Sequence, residues 1–155
     1  MNIRVRFSKH GCLKFIGHLD VMRYFQKAMR RAEIDMCYSE GFSPHMIMSF
    51  ASPLGLGLES DGEYMDISVK QSPSSKEAVE RLNAVMAEGI EVLSWRELPE
   101  NSKNAMASVA GADYEVRFRE GYELEEGWEK KLEKFLALPE IRIMKETKKG
   151  EQEVD

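Results

Sequence analysis

Within its first 33 residues the chain changes hydrophobic period once, from two to about 3.6, and that switch prescribes a strand followed by a helix. Ile3, Val5 and Phe7 alternate with Arg4, Arg6 and Ser8, as in a strand with one buried face. Gly11 breaks the pattern. From His18 to Glu33 there is no glycine or proline, and Leu19, Met22, Phe25, Met29 and Ala32 recur at three- and four-residue steps. An amphipathic helix is therefore expected, entered from Gly17, with Asp20 in the first turn where the helix dipole favours a carboxylate.

The switch then repeats. Gly41, Pro44, Pro53, Gly55, Gly57 and Gly62 punctuate residues 34–63, where only Ile47 to Ala51 reads as extended. Asp61-Gly62 is a turn signal, and Tyr64 to Val69 reads as a strand after it. Ser-Pro-Ser-Ser at 72–75 opens a second helix, with Ser75 as its cap and Ala78, Val79, Leu82, Val85 and Met86 as its stripe. Gly89 is expected to end that helix, and Ile90 to Leu98 to form a further strand. The order β-α-β-β-α-β predicts an α+β chain whose residues 1–98 form a ferredoxin-like unit, a four-stranded antiparallel sheet with helices on one face. Residues 99–111 read as a linker. A strand at 112–118, a helix at 126–138 carrying Trp128, Leu132, Phe135 and Leu136, a strand at 141–144 and a Lys148-Lys149-Gly150 turn follow. Residues 112–155 are thus expected to form a second, truncated ferredoxin-like unit.

Hydrophobic residues make up 43% of the 155, enough to build a core. Apolar runs fall far short of the roughly 20 residues that span a bilayer, and the N-terminus lacks an apolar export signal. A cytoplasmic protein without a membrane partner is expected. Cys12 and Cys37 are 25 positions apart with no CxxC, so cysteine alone builds no zinc or iron–sulfur site, and two reduced, packed thiols are expected. The net charge of −5 hides an asymmetry. Residues 1–45 hold eight Lys+Arg, four Asp+Glu and all three histidines, whereas the remaining 110 residues hold 14 basic and 23 acidic ones. A ligand meets the local field rather than the average.

The basic excess concentrates on the first helix. Arg23, Lys27, Arg30 and Arg31 stand at i, i+4, i+7 and i+8, within about 100° of arc at 3.6 residues per turn. Such a stripe can track phosphates, and Arg4, Arg6, Lys9 and Lys14 can extend the track; the alternative is a solvated helix face. His18 and Asp20 bring an imidazole and a carboxylate to the helix start, and His45 stands in the glycine-rich segment. These are the candidates for acid/base chemistry, or for a metal site if Cys37 joined them. The plainer reading makes His18 a first-turn residue with a buried partner. Tyr38, Ser39, Gly41, Phe42, Pro44 and His45 form a candidate loop site, and Phe42, Phe50 and Tyr64 either stack bases or fill core. No nucleophile motif is present.

Phe15-Ile16-Gly17-His18-Leu19-Asp20, Arg30-Arg31-Ala32, Tyr38-Ser39-Glu40-Gly41-Phe42-Ser43-Pro44-His45, Ser60-Asp61-Gly62-Glu63-Tyr64-Met65-Asp66 and the tail Lys-Lys-Gly-x-x-Glu-Val-Asp resemble, in that combination, the radical-SAM-linked or radical-SAM-associated bacterial proteins. Met46 departs from the proline common in that family after the histidine. The resemblance implies a module fused to, or encoded beside, a radical-SAM enzyme. The iron–sulfur cluster and SAM would then belong to that partner, and this chain would bind no cofactor of its own. The leading expectation is a non-catalytic module that binds RNA, either tRNA or rRNA, and presents it to the partner. The alternatives are a ribonuclease-like enzyme using His18 and His45, and a module that only docks proteins.

Overall fold

A computed structural model describes residues 1–147 and 150–154. The chain divides into two compact units, Met1–Ala112 and Asp113–Asp155. In the first unit β1 (Asn2–Lys9), α1 (His18–Arg31), β2 (Met48–Phe50), β3 (Ser60–Ser68), α2 (Ser75–Asn83) and β4 (Ile90–Glu97) follow in chain order. The four strands form one sheet in the order β2-β3-β1-β4 with every neighbouring pair antiparallel. The fold is α+β.

Ile3, Val5 and Phe7 of β1 share one core with Val21, Phe25 and Met29 of α1 and Ala78 and Leu82 of α2, so both helices cover the same face of the sheet. Phe7, Phe25 and Phe50 meet edge to face within this core, with ring centroids 4.7 to 6.1 Å apart. The end of α1 is fixed by backbone geometry and by a cation. Glu33 takes φ 54°, and the N–H groups of Glu33 and Ile34 donate to the carbonyls of Arg30 and Met29, closing the helix as a Schellman turn. Arg81 of α2 then donates to the carbonyl oxygens of Ala32 and Glu33 at 2.6 and 2.9 Å, placing positive charge at the negative end of the helix dipole.

Several local expectations shift. Asp61-Gly62 does not turn the chain but lies inside β3, because Gly62 runs directly beneath Arg6: a Cβ there would fall 2.7 Å from the guanidinium Nε, and a strand glycine permits that approach. The cap of α2 is Ser74, whose hydroxyl accepts from the Glu77 N–H, and the helix stops at Asn83 rather than Gly89. Asn83 instead holds both backbone groups of Val92 with its side-chain amide. Residues 99–111 fall within the first unit, and part of them, the short α3 (Ala105–Ser108), is anchored to the face of the sheet opposite the large helices. The Ala105 N–H donates to Asp66 Oδ2 at 2.6 Å, and Arg4 donates to the Lys103 carbonyl.

The second unit contains α4 (Trp128–Leu136) and a hairpin of β5 (Ile143–Thr147) and β6 (Gly150–Val154). The strand expected at 112–118 is not formed. Alternation alone gives a strand no ladder partner, and unpaired backbone groups hydrogen-bond water instead. The expected Lys148-Lys149 turn lies outside the described residues. No helix among the described residues is long and apolar enough to cross a membrane.

Candidate nucleic-acid interface

The residues buried on α1 are Val21, Phe25, Ala28 and Met29; Arg23, Lys27, Arg30 and Arg31 are all exposed, on the side of the cylinder that faces away from the core. Arg23 lies 3.4 Å from Asp20 one turn earlier, both side chains being mostly exposed, so the pair is a weak surface contact. Arg31 donates to the Val85 carbonyl at 3.1 Å. The side chains of Lys27 and Arg30 make no hydrogen bond or ion pair among the described residues. The helix therefore presents four exposed cations in one stripe, and among the described residues the only carboxylate paired with them is that of Asp20, on Arg23.

The extensions of that stripe behave differently. Lys9 is only 1% exposed, with its amine directed at the carbonyls of Lys14 and Ile16 at 3.4 and 3.3 Å, so it leaves the phosphate track. Burial pushes its pKa below the ordinary lysine value, and the nearby Glu63 carboxylate partly opposes that shift. Sequence reasoning placed Lys9 on the surface, yet the signal was present: it is the fourth member of the Ile3, Val5, Phe7 series. Lys14 is engaged with Glu59 at 3.3 Å. The same Glu59 oxygen accepts from the Gly11 N–H at 3.0 Å, and these donors hold the Glu59 carboxyl below the usual range, the Gly11 N–H most of all. With the Gly57 N–H donating to the Lys14 carbonyl, they fasten the glycine-rich segment 55–59 onto a 3-10 turn at Gly11–Phe15. Arg4 is bidentate on Asp66 at 2.8 and 3.0 Å, and that carboxylate, chiefly by hydrogen bonding, raises the guanidinium pKa further.

The histidines occupy separate surroundings. His18 stands edge-on to Phe50 with centroids 5.1 Å apart. It lines a small pocket with Phe7, Lys9, Val21, Ser52, Leu54 and Glu63, whose volume of about 10 Å³ admits one water-sized group. His45 closes a hairpin: its Nδ1 lies 2.8 Å from Ser39 Oγ, its N–H donates to that hydroxyl, and its carbonyl accepts from the Ser39 N–H. Tyr38 pairs with Met46 across this hairpin, Gly41 takes φ 111° at its tip, and Phe42 and Pro44 are exposed there. No hydrogen bond, ion pair or ring contact among the described residues joins His45 to His18 or to Asp20, which faces Arg23. No group of three or more His, Cys, Asp or Glu among the described residues could hold a metal ion. Phe50 is core, whereas Tyr64 is exposed. Cys12 is exposed rather than packed, and Cys37 is half-buried.

No curated protein matches the chain. Over residues 2–155 it matches the family described as "Uncharacterized protein conserved in bacteria (DUF2344)". That span takes in nearly every residue of both units, and the protein belongs to this bacterial family.

Proposed function

We propose that the first unit is a non-catalytic, ferredoxin-like RNA-binding module that holds tRNA or rRNA for a radical-SAM enzyme carried on a separate chain, in the cytoplasm. The observation that carries RNA binding is the outer face of α1, where four cations stand on one rigid helix opposite its buried face. A helix held at both ends by the sheet and by Arg81 loses little entropy when it meets a polyanion. The radical-SAM partner rests on the sequence resemblance alone, and the iron–sulfur cluster and SAM would be that partner's.

The double charge reversal Arg23→Glu with Arg30→Glu tests the stripe. Both side chains are exposed, so the fold is expected to survive, while RNA affinity is lost. Four phosphate contacts give a slope of log K against log salt of about −3 on single-stranded RNA, and the variant flattens it. RNA affinity and salt slope equal to wild type would remove α1 from the reading. Recovery of the radical-SAM enzyme in a pull-down from a nuclease-treated extract, equal for wild type and variant, would assign the partnership to protein contacts instead.

A further inference from the structure

The face of the sheet turned away from α1 and α2 carries a second set of residues suited to RNA. In register across it stand Ser49, Asp66, Arg4 and Arg96, and one step along the strands stand Tyr64, Arg6 and Ser94. Arg4 is neutralised by Asp66, and that pair anchors residues 103–105 on the β2–β3 side of the face. Arg6, Tyr64 and Arg96 remain open to solvent, and Tyr64 is the aromatic side chain of this face, 40% exposed on a central strand.

Arg6 is held flat. Its guanidinium lies against the backbone of Gly62, where a Cβ would come within 2.7 Å, and it donates to the Asp61 carbonyl at 3.3 Å. A guanidinium carries five N–H donors, and the Arg6 side chain is exposed. Arg6 is directly opposite Tyr64 in the register, and its guanidinium reaches along the face to Gly62, two residues before Tyr64 on β3, so a planar cation and an aromatic residue occupy neighbouring positions of one exposed face. Arg96 is diagonal to Arg6, about 7–8 Å away by strand geometry.

We propose that this face is a stacking platform for unpaired RNA bases: one base on the Tyr64 ring, its neighbour against the Arg6 guanidinium, and the phosphate beyond that second base on Arg96. Stacking on aromatic and guanidinium planes is how single strands are gripped, because a paired base offers no free π-face. The charge complements a phosphodiester backbone, and the surface is too polar to be a cut core. This platform rests on the RNA-binding reading above but uses residues on the opposite side of the sheet from α1.

The test measures binding of the full chain to a short labelled uridine-rich single strand and to a blunt RNA duplex of equal length, by fluorescence anisotropy. Tyr64→Ala is expected to weaken the single strand roughly ten- to hundred-fold and to leave the duplex unchanged, with Tyr64→Phe close to wild type. Tyr64→Leu keeps bulk on the strand but removes the aromatic face, and it must reproduce the loss even if the alanine variant folds poorly. Arg96→Gln is expected to reduce the single-strand salt slope by about 0.7. Single-strand affinity unaltered in Tyr64→Ala and Tyr64→Leu overturns the platform, as does equal loss of strand and duplex in a variant that melts like wild type. If the Arg23/Arg30 reversal removes binding while the Tyr64 variants change nothing, the platform alone falls. Wild type binding neither RNA overturns both.

Discussion

The two units are built from similar patterns and reach different ends. In the first, α1 has Val21, Phe25, Ala28 and Met29 buried against a four-stranded sheet. In the second, α4 carries Leu132, Phe135 and Leu136 at helical spacing, yet each remains exposed, and none of residues 113–146 is buried. Its internal order comes from local contacts: the hairpin ladder, the edge-to-face pair Phe118–Trp128 with centroids 5.7 Å apart, and short-range ion pairs such as Glu115–Arg117 and Glu125–Lys131. Arg117 holds the Glu115 carboxyl below its usual range, chiefly by hydrogen bonding. An amphipathic stripe makes a helix possible, but only a second layer takes that stripe out of water, and most of a short helix's stability comes from that burial.

The contrast breaks most visibly under truncation of matched apolar residues. Phe25→Ala removes a ring with no solvent exposure that contacts three others and is expected to cost about 3–5 kcal/mol of unfolding free energy. Leu132→Ala on α4 is expected to change it by less than about 0.5 kcal/mol. Urea titrations of the two variants check this, and comparable losses would mean that α4 is buried in solution.

A smaller effect separates buried from exposed charge. The folded-state pKa of Lys9 lies below the ordinary 10.5. Below the folded pKa both states hold the proton, and the folded protein bears the full cost of a buried cation. As pH rises through that pKa toward 10.5, the unfolded chain binds more protons than the folded one, so unfolding free energy climbs. Wild type is therefore expected to gain stability relative to Lys9→Met on the alkaline approach to pH 10.5, read from melting curves at stepped pH. Parallel curves for the two proteins would show that the amine reaches solvent.

The smallest effect lies at helix ends. In the second unit the residue in the left-handed conformation before α4 is Gly127, whereas the first unit places Glu33 in that conformation after α1. Glu33→Gly relieves the side-chain clash with the backbone and is expected to raise unfolding free energy by about 0.5–1 kcal/mol, visible as a small rise in Tm. A lower Tm would mean that the Glu33 side chain contributes more than its strain costs.

Much of the first unit was legible because its elements carry strong periods. The Ile3, Val5, Phe7 alternation, the α1 stripe and the Ala78–Leu82 stripe each located an element to within a few residues. What failed to show in sequence was pairing. Asp61-Gly62 has turn composition, and only the approach of Arg6 from a neighbouring strand explains why it stays extended. The alternating residues 112–118 have strand composition and no partner. At the candidate interface, the α1 stripe was legible because four cations at helical spacing must share a face, while the seclusion of Lys9 and the separation of His18 from His45 depended on how loops close over the sheet. Tyr64 was visible as an aromatic, but its exposure followed from strand parity and from which face the helices cover.

By itself the sequence determined the succession of strands and helices from β1 to β4, the polar and apolar side of each, and the cationic stripe on α1, because these follow from residue spacing along one element. Only tertiary structure decided which side chains meet: Arg4 with Asp66, Arg81 with the end of α1, Arg6 over Gly62, and the buried amine of Lys9. Those contacts join residues up to 62 positions apart, and no local pattern encodes a partner that the chain reaches only after the sheet has formed.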